Sequence, residues 1–195
     1  MIDLTRVKNT YYVMRHGQSK ANVEKTIVSS PENGLTGFGL SDKGKAQVAL
    51  AIEDFPELDD KTRIFASDFL RTKQTAEVAG KALRIKYPIV HTPLLRERFF
   101  GDLELGSDTL YEKVWATDAK TPDATGFGAE PVYSVLERIV SCVQKIEKEH
   151  SGQHILLVSH GDTLQIFLTY LKGWPPNRHR EIDHLDVARI RKALP

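Results

Sequence analysis

TYYVMRHG, residues 10–17, and HILLVSHG, residues 154–161, decide how this 195-residue chain is read. TYYVMR is β-branched and aromatic, the composition of a strand, while HILLVS is a continuous apolar run of strand length, as in a strand covered on both faces. Each run closes on His-Gly, where a turn can begin. His16 and His160 are thereby assigned to the carboxyl ends of two strands.

Outward from these runs, the chain alternates between the two periodicities. Ser41 can cap a helix over residues 41–54 that carries Ala46, Val48, Ala49 and Ile52 among its apolar positions. A short strand is predicted over 63–66, a helix over 69–83 and a strand over 89–91. Residues 93–131 are irregular and rich in Gly, Asp and Thr, with one helix near 110–116. That stretch reads as a cap or substrate-facing insertion, placed at about 98–130 of a single domain over 1–195. Val132, Val135, Leu136, Ile139, Cys142, Val143 and Ile146 then recur at helical spacing, which assigns Cys142 to the core. A helix over 162–171 and a last strand over 185–190 complete a sheet flanked by helices, in which ligands bind beyond the carboxyl ends of the strands.

Composition excludes several functions. With 41% hydrophobic residues the chain can fill a core, and its formal net charge of +1 leaves no broad footprint for nucleic acid or anionic membranes. No run reaches membrane-spanning length, and the opening MIDLTRVKNTYYVM mixes charges into what a signal peptide would keep apolar. The single cysteine rules out an internal disulfide framework, and the cytoplasm is the plain expectation. Gly37-Phe38-Gly39 lacks the rest of a nucleotide-loop motif, and KGWPPNRHR (172–180) reads as a solvated turn that could also steer anions. His91, His150, His154, His179 and His184 fall at no metal-ligand spacing and receive no role.

Three places carry the chemistry: Arg15-His16-Gly17, residues 67–71, and His160-Gly161. Arg15 and Arg71 offer planar forks of donors matched to phosphate oxygens. An imidazole beside fixed positive charge is pushed toward its neutral form, the form with a lone pair able to attack phosphorus, and this fits His16. Gly17 and Gly161 let backbone amides approach an anion, and a helix starting after His160 adds donors. One carboxyl group can protonate a leaving oxygen and later activate water; Glu97 is the leading candidate, with Asp68 and Glu104 behind it. The competing readings are a solvated charge cluster around Glu97 and an Arg71–Asp68 salt bridge.

Taken in order, Arg15-His16-Gly17-Gln18-Ser19 with Asn22, Leu40-Ser41-Asp42-Lys43-Gly44, Ser67-Asp68-Phe69-Leu70-Arg71-Thr72 with Gln74-Thr75-Ala76, Leu95-Arg96-Glu97 before Gly101, and Val158-Ser159-His160-Gly161 resemble the histidine phosphatase superfamily, also called the phosphoglycerate mutase-like family. The resemblance runs along most of the chain. It implies a three-layer α/β/α fold with a mostly parallel central sheet. It also implies a phosphohistidine on His16, with Arg15, Arg71 and His160 around the transferring group and Glu97 as acid, then base. Asn22, Gln18 and Gly161 would add phosphate contacts. The family needs no metal and no cofactor, since its arginines and histidines neutralise the transferring charge.

The reaction implied is hydrolysis of a phosphomonoester, the substrate being a small phosphorylated molecule or a phosphoprotein; the chain would act as a monomer or homodimer. Phosphoglycerate mutase or bisphosphoglycerate phosphatase is an alternative favoured by Arg98 directly after Glu97. Against the mutase, the stretch Trp115-Ala116-Thr117-Asp118 lacks the paired arginines with which mutases grip a carboxylate. A noncatalytic phospho-ligand sensor is a third reading. Specificity is placed in residues 98–128, where Phe99, Phe100, Tyr111 and Trp115 are candidates for an apolar wall around the leaving group as well as for core packing.

Overall fold

Both His-Gly runs form neighbouring parallel strands in the computed structural model, which describes residues 6–121 and 125–195. The first five residues, part of the segment read for a signal peptide, and residues 122–124 of the insertion lie outside the described residues. In chain order the elements are β1 (Thr10–Arg15), α1 (Lys20–Glu24), α2 (Pro31–Gly34), α3 (Asp42–Glu53), β2 (Arg63–Ser67), α4 (Leu70–Leu83), β3 (Val90–Thr92), α5 (Tyr111–Asp118), α6 (Val132–Glu149), β4 (His154–Ser159), α7 (Gly161–Leu171) and β5 (Ile190–Leu194). The sheet order is β3-β2-β4-β1-β5; the first four strands are parallel and only β5 runs antiparallel. This is the α/β architecture expected, a mostly parallel sheet between helical layers.

The period-two alternation of the strands sorts the core into two halves. Tyr11 and Val13 of β1 and Ile155 and Leu157 of β4 pack with the apolar stripe of α6 and with α7. Their neighbours Tyr12, Met14, Leu156 and Val158 face the other way, onto α3 and α4. Cys142 is buried on the α6 side, as its spacing indicated. A third, smaller cluster of Ile27, Phe100, Leu103, Val114 and Ala129 gives the insertion its own apolar centre beside the main sheet.

The last strand begins later than expected, at Ile190 rather than at residue 185. Leu185 is buried, as its apolar character predicted, but its carbonyl accepts from the Arg15 guanidinium instead of joining a ladder. Ala188 then sits at φ 59°, a left-handed turn that interrupts extended backbone, and its N–H donates to the carbonyls of Arg15 and His16. Only beyond that turn can pairing with β1 start. The short helices α1 and α2 were not foreseen; Ser19 and Ser30 cap them, Ser19 through a reciprocal pair with Asn22.

Candidate active site

The register Arg15↔Ser159 between β1 and β4 brings the next residues, His16 and His160, to adjacent strand ends. Their ring centroids lie 5.3 Å apart at a steep angle, and both side chains are buried. His16 Nδ1 is 2.8 Å from the Gly17 carbonyl. A carbonyl only accepts, so the proton sits on Nδ1 and Nε2 keeps its lone pair. Arg71 Nε donates to His16 Nε2 at 3.2 Å and to His160 Nδ1 at 3.1 Å. His160 therefore carries its proton on Nε2, which donates to Ser67 Oγ at 2.9 Å.

The guanidiniums are held by backbone and leave donors over. Arg71 Nη2 donates to the Val28 carbonyl, while Arg71 Nη1 and Arg15 Nε are buried without a hydrogen-bond partner. Arg15 Nη1 donates to the Leu185 carbonyl and lies 2.8 Å from His184 Nε2. Two orphaned cationic donors flanking one imidazole form a site for an anion with several oxygens. Burial, then the charges of Arg71 and Arg15, pushes His16 well below the ordinary histidine range. Burial and Arg71 do the same to His160. Both imidazoles are thus held in the neutral form.

Glycines set the close approaches in this floor. A Cβ on Gly17 would stand 2.5 Å from the Gly44 carbonyl oxygen, so the turn after His16 lies directly on the first turn of α3. The Gly17 N–H donates to Thr75 Oγ1 of α4. Gly161 lets the Arg15 guanidinium lie against α7, since a Cβ there would be 3.1 Å from Arg15 Cζ.

Glu97 follows the turn Pro93–Leu95 and is 9% exposed. Its Oε1 accepts from the N–H of Arg98 at 3.0 Å and from the N–H and hydroxyl of Thr163, in the first turn of α7. Burial raises its pKa, and the nearby Asp162 carboxylate raises it further; Arg71, the Arg98 N–H and Arg15 pull the other way without cancelling the rise. The competing solvated-cluster reading of Glu97 does not describe this buried group. Arg15, Glu97, Asn22 and Gly161 share the wall of a cleft of about 520 Å³ with Tyr111 and Trp115 of the insertion.

Other candidates stand apart. Gln18 faces α3: its N–H donates to Gln47 and its Oε1 accepts from Ser41. Asn22 lines the cleft, but its Oδ1 is engaged in capping α1, leaving the amide nitrogen as its available donor. Asp68 forms a two-pronged pair with Arg96 rather than with Arg71. Glu104 accepts from Ser29 and Asn33, and these bonds outweigh burial and lower its pKa, so it is no proton donor. Phe100 reaches the cleft from the insertion's core, whereas Phe99 is exposed elsewhere.

Arg98, which the sequence offered as a sign of a mutase, is fully buried. It grips Asp118 with both Nη atoms at 2.5 and 2.8 Å, reaches Asp162 at 3.4 Å and donates through Nε to the Glu130 carbonyl. Sequence reasoning missed Asp162 and Thr163, placed Ser67 in the motif without foreseeing its bond to His160, and passed over His184. All four are brought in by tertiary contacts, and only nearness in sequence to His160 marked Asp162 and Thr163. Arg180, read as part of a solvated turn, covers the Trp115 ring with its guanidinium 3.7 Å from the ring centre and lines the cleft. Among the described residues no three His, Cys, Asp or Glu side chains are grouped so as to hold a metal ion, and no helix is long and apolar enough to cross a membrane.

Comparison with known proteins agrees with this geometry. A probable phosphoglycerate mutase of Salmonella paratyphi A is 28% identical over 186 residues, covering 92% of this chain and 83% of the relative. Among solved structures, Bacillus stearothermophilus YhfR superposes with a TM-score of 0.73 at 25% identity, over 95% of this chain and 96% of the other. A mycobacterial glucosyl-3-phosphoglycerate phosphatase gives a TM-score of 0.76 at 20% identity, over 95% and 97% of the two chains, a likeness of fold alone. The family model described as histidine phosphatase superfamily (branch 1) matches residues 11–193. With its two histidines and two arginines meeting at the strand ends inside that match, the chain belongs to the histidine phosphatase superfamily.

Proposed function

We propose that the protein is a phosphomonoesterase that works through a phosphohistidine on His16 Nε2, with Glu97 as the proton donor. The observation that carries this is the pairing of an unprotonated His16 Nε2 with two buried, unpartnered guanidinium donors, Arg15 Nε and Arg71 Nη1.

Arg15 and Arg71 hold the phosphoryl oxygens and supply the charge neutralisation that phosphoryl transfer requires. His16 Nε2 attacks phosphorus, the bond to the ester oxygen breaks, and the Glu97 carboxyl gives that oxygen its proton. A water then attacks the phosphohistidine, passing its proton to the Glu97 carboxylate. The N–P bond breaks, inorganic phosphate leaves, and His16 and Glu97 return to their starting states. His160, held by Ser67 and Arg71, presents its ring to the same group.

A second reading rests on the relatives named as probable phosphoglycerate mutases, in which the phosphoryl group passes to another hydroxyl instead of water. The burial of Arg98 against Asp118 favours hydrolysis, because it removes this arginine from substrate contact.

The test is His16→Ala, assayed on an aryl phosphate and on monophosphoglycerates, with acid quench to trap an acid-labile phosphoenzyme. The expected result is loss of turnover and of the trapped phosphoryl group in a folded variant. Unimpaired turnover would overturn the mechanism, and interconversion of phosphoglycerates by the wild type in place of phosphate release would select the mutase.

A further inference from the structure

Beneath the cleft, a buried charge network joins four parts of the chain that the reaction above does not use. Asp162, in the first turn of α7, is 5% exposed. Its Oδ1 accepts from Trp115 Nε1 at 3.0 Å and lies 3.5 Å from His179 Nε2; its Oδ2 faces Arg98 Nη1 at 3.4 Å. Arg98 continues to Asp118 at the far end of α5. The helix that covers the cleft is therefore fixed at Trp115 and at Asp118 to one cluster of charges. Backbone adjoining that cluster binds the acid on both sides. Arg98 follows Glu97 in the chain and donates its N–H to it, and Thr163 follows Asp162 and does the same.

We infer that Asp162 is a positioning residue for proton transfer: a single carboxylate anchors α5 over the cleft through Trp115 and holds negative charge beside the Glu97 carboxyl.

The electrostatics agree with that placement. Burial alone would raise the pKa of Asp162, yet His179, Arg98 and Arg180 hold it below the usual carboxylate range, so Asp162 is kept charged. The groups facing Glu97 are Asp162 from α7, Arg71 from α4, Arg15 from β1, the Arg98 N–H and Tyr111 from α5. After burial, Asp162 is the largest influence that keeps the proton on Glu97, and Arg71 and Arg15 oppose it. The two cations proposed to bind phosphate pull the proton from the acid, and burial and Asp162 oppose them. Trp115 stacks on Tyr111 with ring centroids 5.3 Å apart, so the same bond that holds Trp115 sets the aromatic roof of the cleft.

The inference rests on Glu97 being the acid, and the experiment separates the two. Asp162→Asn keeps an amide oxygen to accept from Trp115 but removes the charge. The alkaline limb of its kcat/KM profile should move to lower pH by about half a unit or more, the size of shift a single nearby charge produces. Its kcat on an alkyl phosphate, whose leaving oxygen needs the proton, should fall about tenfold further than on p-nitrophenyl phosphate. Trp115→Phe keeps the charge and removes the bond, so KM should rise several-fold while the limb stays in place. An unmoved limb in Asp162→Asn, or equal losses on both substrates, overturns the inference. If Asp162→Asn does not fold, Trp115→Phe decides: unchanged KM, or a displaced limb, also overturns it. Glu97→Gln in the same series should lose the alkaline limb and most of the alkyl phosphate turnover, which shows that Glu97 is the acid whichever way Asp162 behaves.

Discussion

Replacing Arg98 with methionine tests whether this arginine belongs to the scaffold or to the substrate. The side chain has no exposed surface, and its guanidinium is the partner of a 1% exposed Asp118 and a neighbour of Asp162. Methionine fills a similar length with flexible apolar atoms, so little of the cost comes from an empty volume. The cost comes from two carboxylates left in the interior. Breaking a buried ion pair by removing one partner costs about 3–5 kcal/mol, a large share of a typical total stability of roughly 5–15 kcal/mol. With a urea slope of about 3 kcal/mol per molar, the unfolding midpoint drops by about 1–1.7 M. Adding Asp118→Asn to Arg98→Met should recover part of that loss, because one orphaned charge is neutralised. The assay is equilibrium urea unfolding of wild type, both single variants and the double variant. A loss below about 1 kcal/mol in Arg98→Met, accompanied by a raised KM in the folded protein, would refute the scaffold role and return Arg98 to the substrate.

Other consequences follow from the same geometry. Gly17→Ala forces a Cβ to 2.5 Å from the Gly44 carbonyl oxygen, both groups being backbone-fixed, so His16 must move; turnover should drop by about 100-fold with the fold retained, as circular dichroism and steady-state kinetics will show. Ser67→Ala leaves the His160 Nε2 proton buried without its acceptor and should cost roughly 1–3 kcal/mol, read as a lower thermal midpoint together with a fall in kcat. The kcat/KM profile should be a bell: His16 is neutral down to a pH well below the ordinary histidine value, and Glu97 stays protonated above the ordinary glutamate value. Glu97→Gln should abolish its alkaline limb for p-nitrophenyl phosphate and slow phosphoenzyme hydrolysis in a quench-flow trace. For stability the sign is the opposite of a salt-bridged histidine. His16 and His160 bind protons more weakly folded than unfolded, so stability is full above about pH 6.5 and declines as pH falls below it, which calorimetry across pH 5–7.5 will measure.

The sequence made the proposed phosphate floor legible because that floor is built at strand ends, and strand ends are local. Arg15, His16, His160 and Gly161 each sit where an apolar run stops, and Arg71 is the second residue of the helix after β2. Glu97 was legible as a residue but not as a buried one, since its burial comes from Thr163 and the α7 N-terminus, some 66 residues away. Gln18 shows the converse. Its place in the motif pointed to phosphate, while the capping of α3 by Ser41 turns its side chain away. The charge network of Arg98, Asp118, Asp162 and His179 left no trace in spacing, because its members come from four segments that meet only after the insertion folds onto α7. The late start of β5 was hidden for a related reason: Leu185 is apolar in order to sit below Arg15, not to alternate along a strand.

The pairing of Arg15 with Ser159 has a mechanical meaning. The gap between the two imidazoles is inherited from the ladder joining β1 and β4, so it is gauged by main-chain hydrogen bonds and not by any loop. Deleting one residue within either strand would invert the facing of everything beyond it and separate the rings, whereas a change of length within residues 98–130 leaves that ladder itself untouched. The groups proposed to handle the phosphoryl group and the surface proposed to choose the alcohol thus take their positions from different parts of the chain, one set in the weave of the sheet and the other hung beside it.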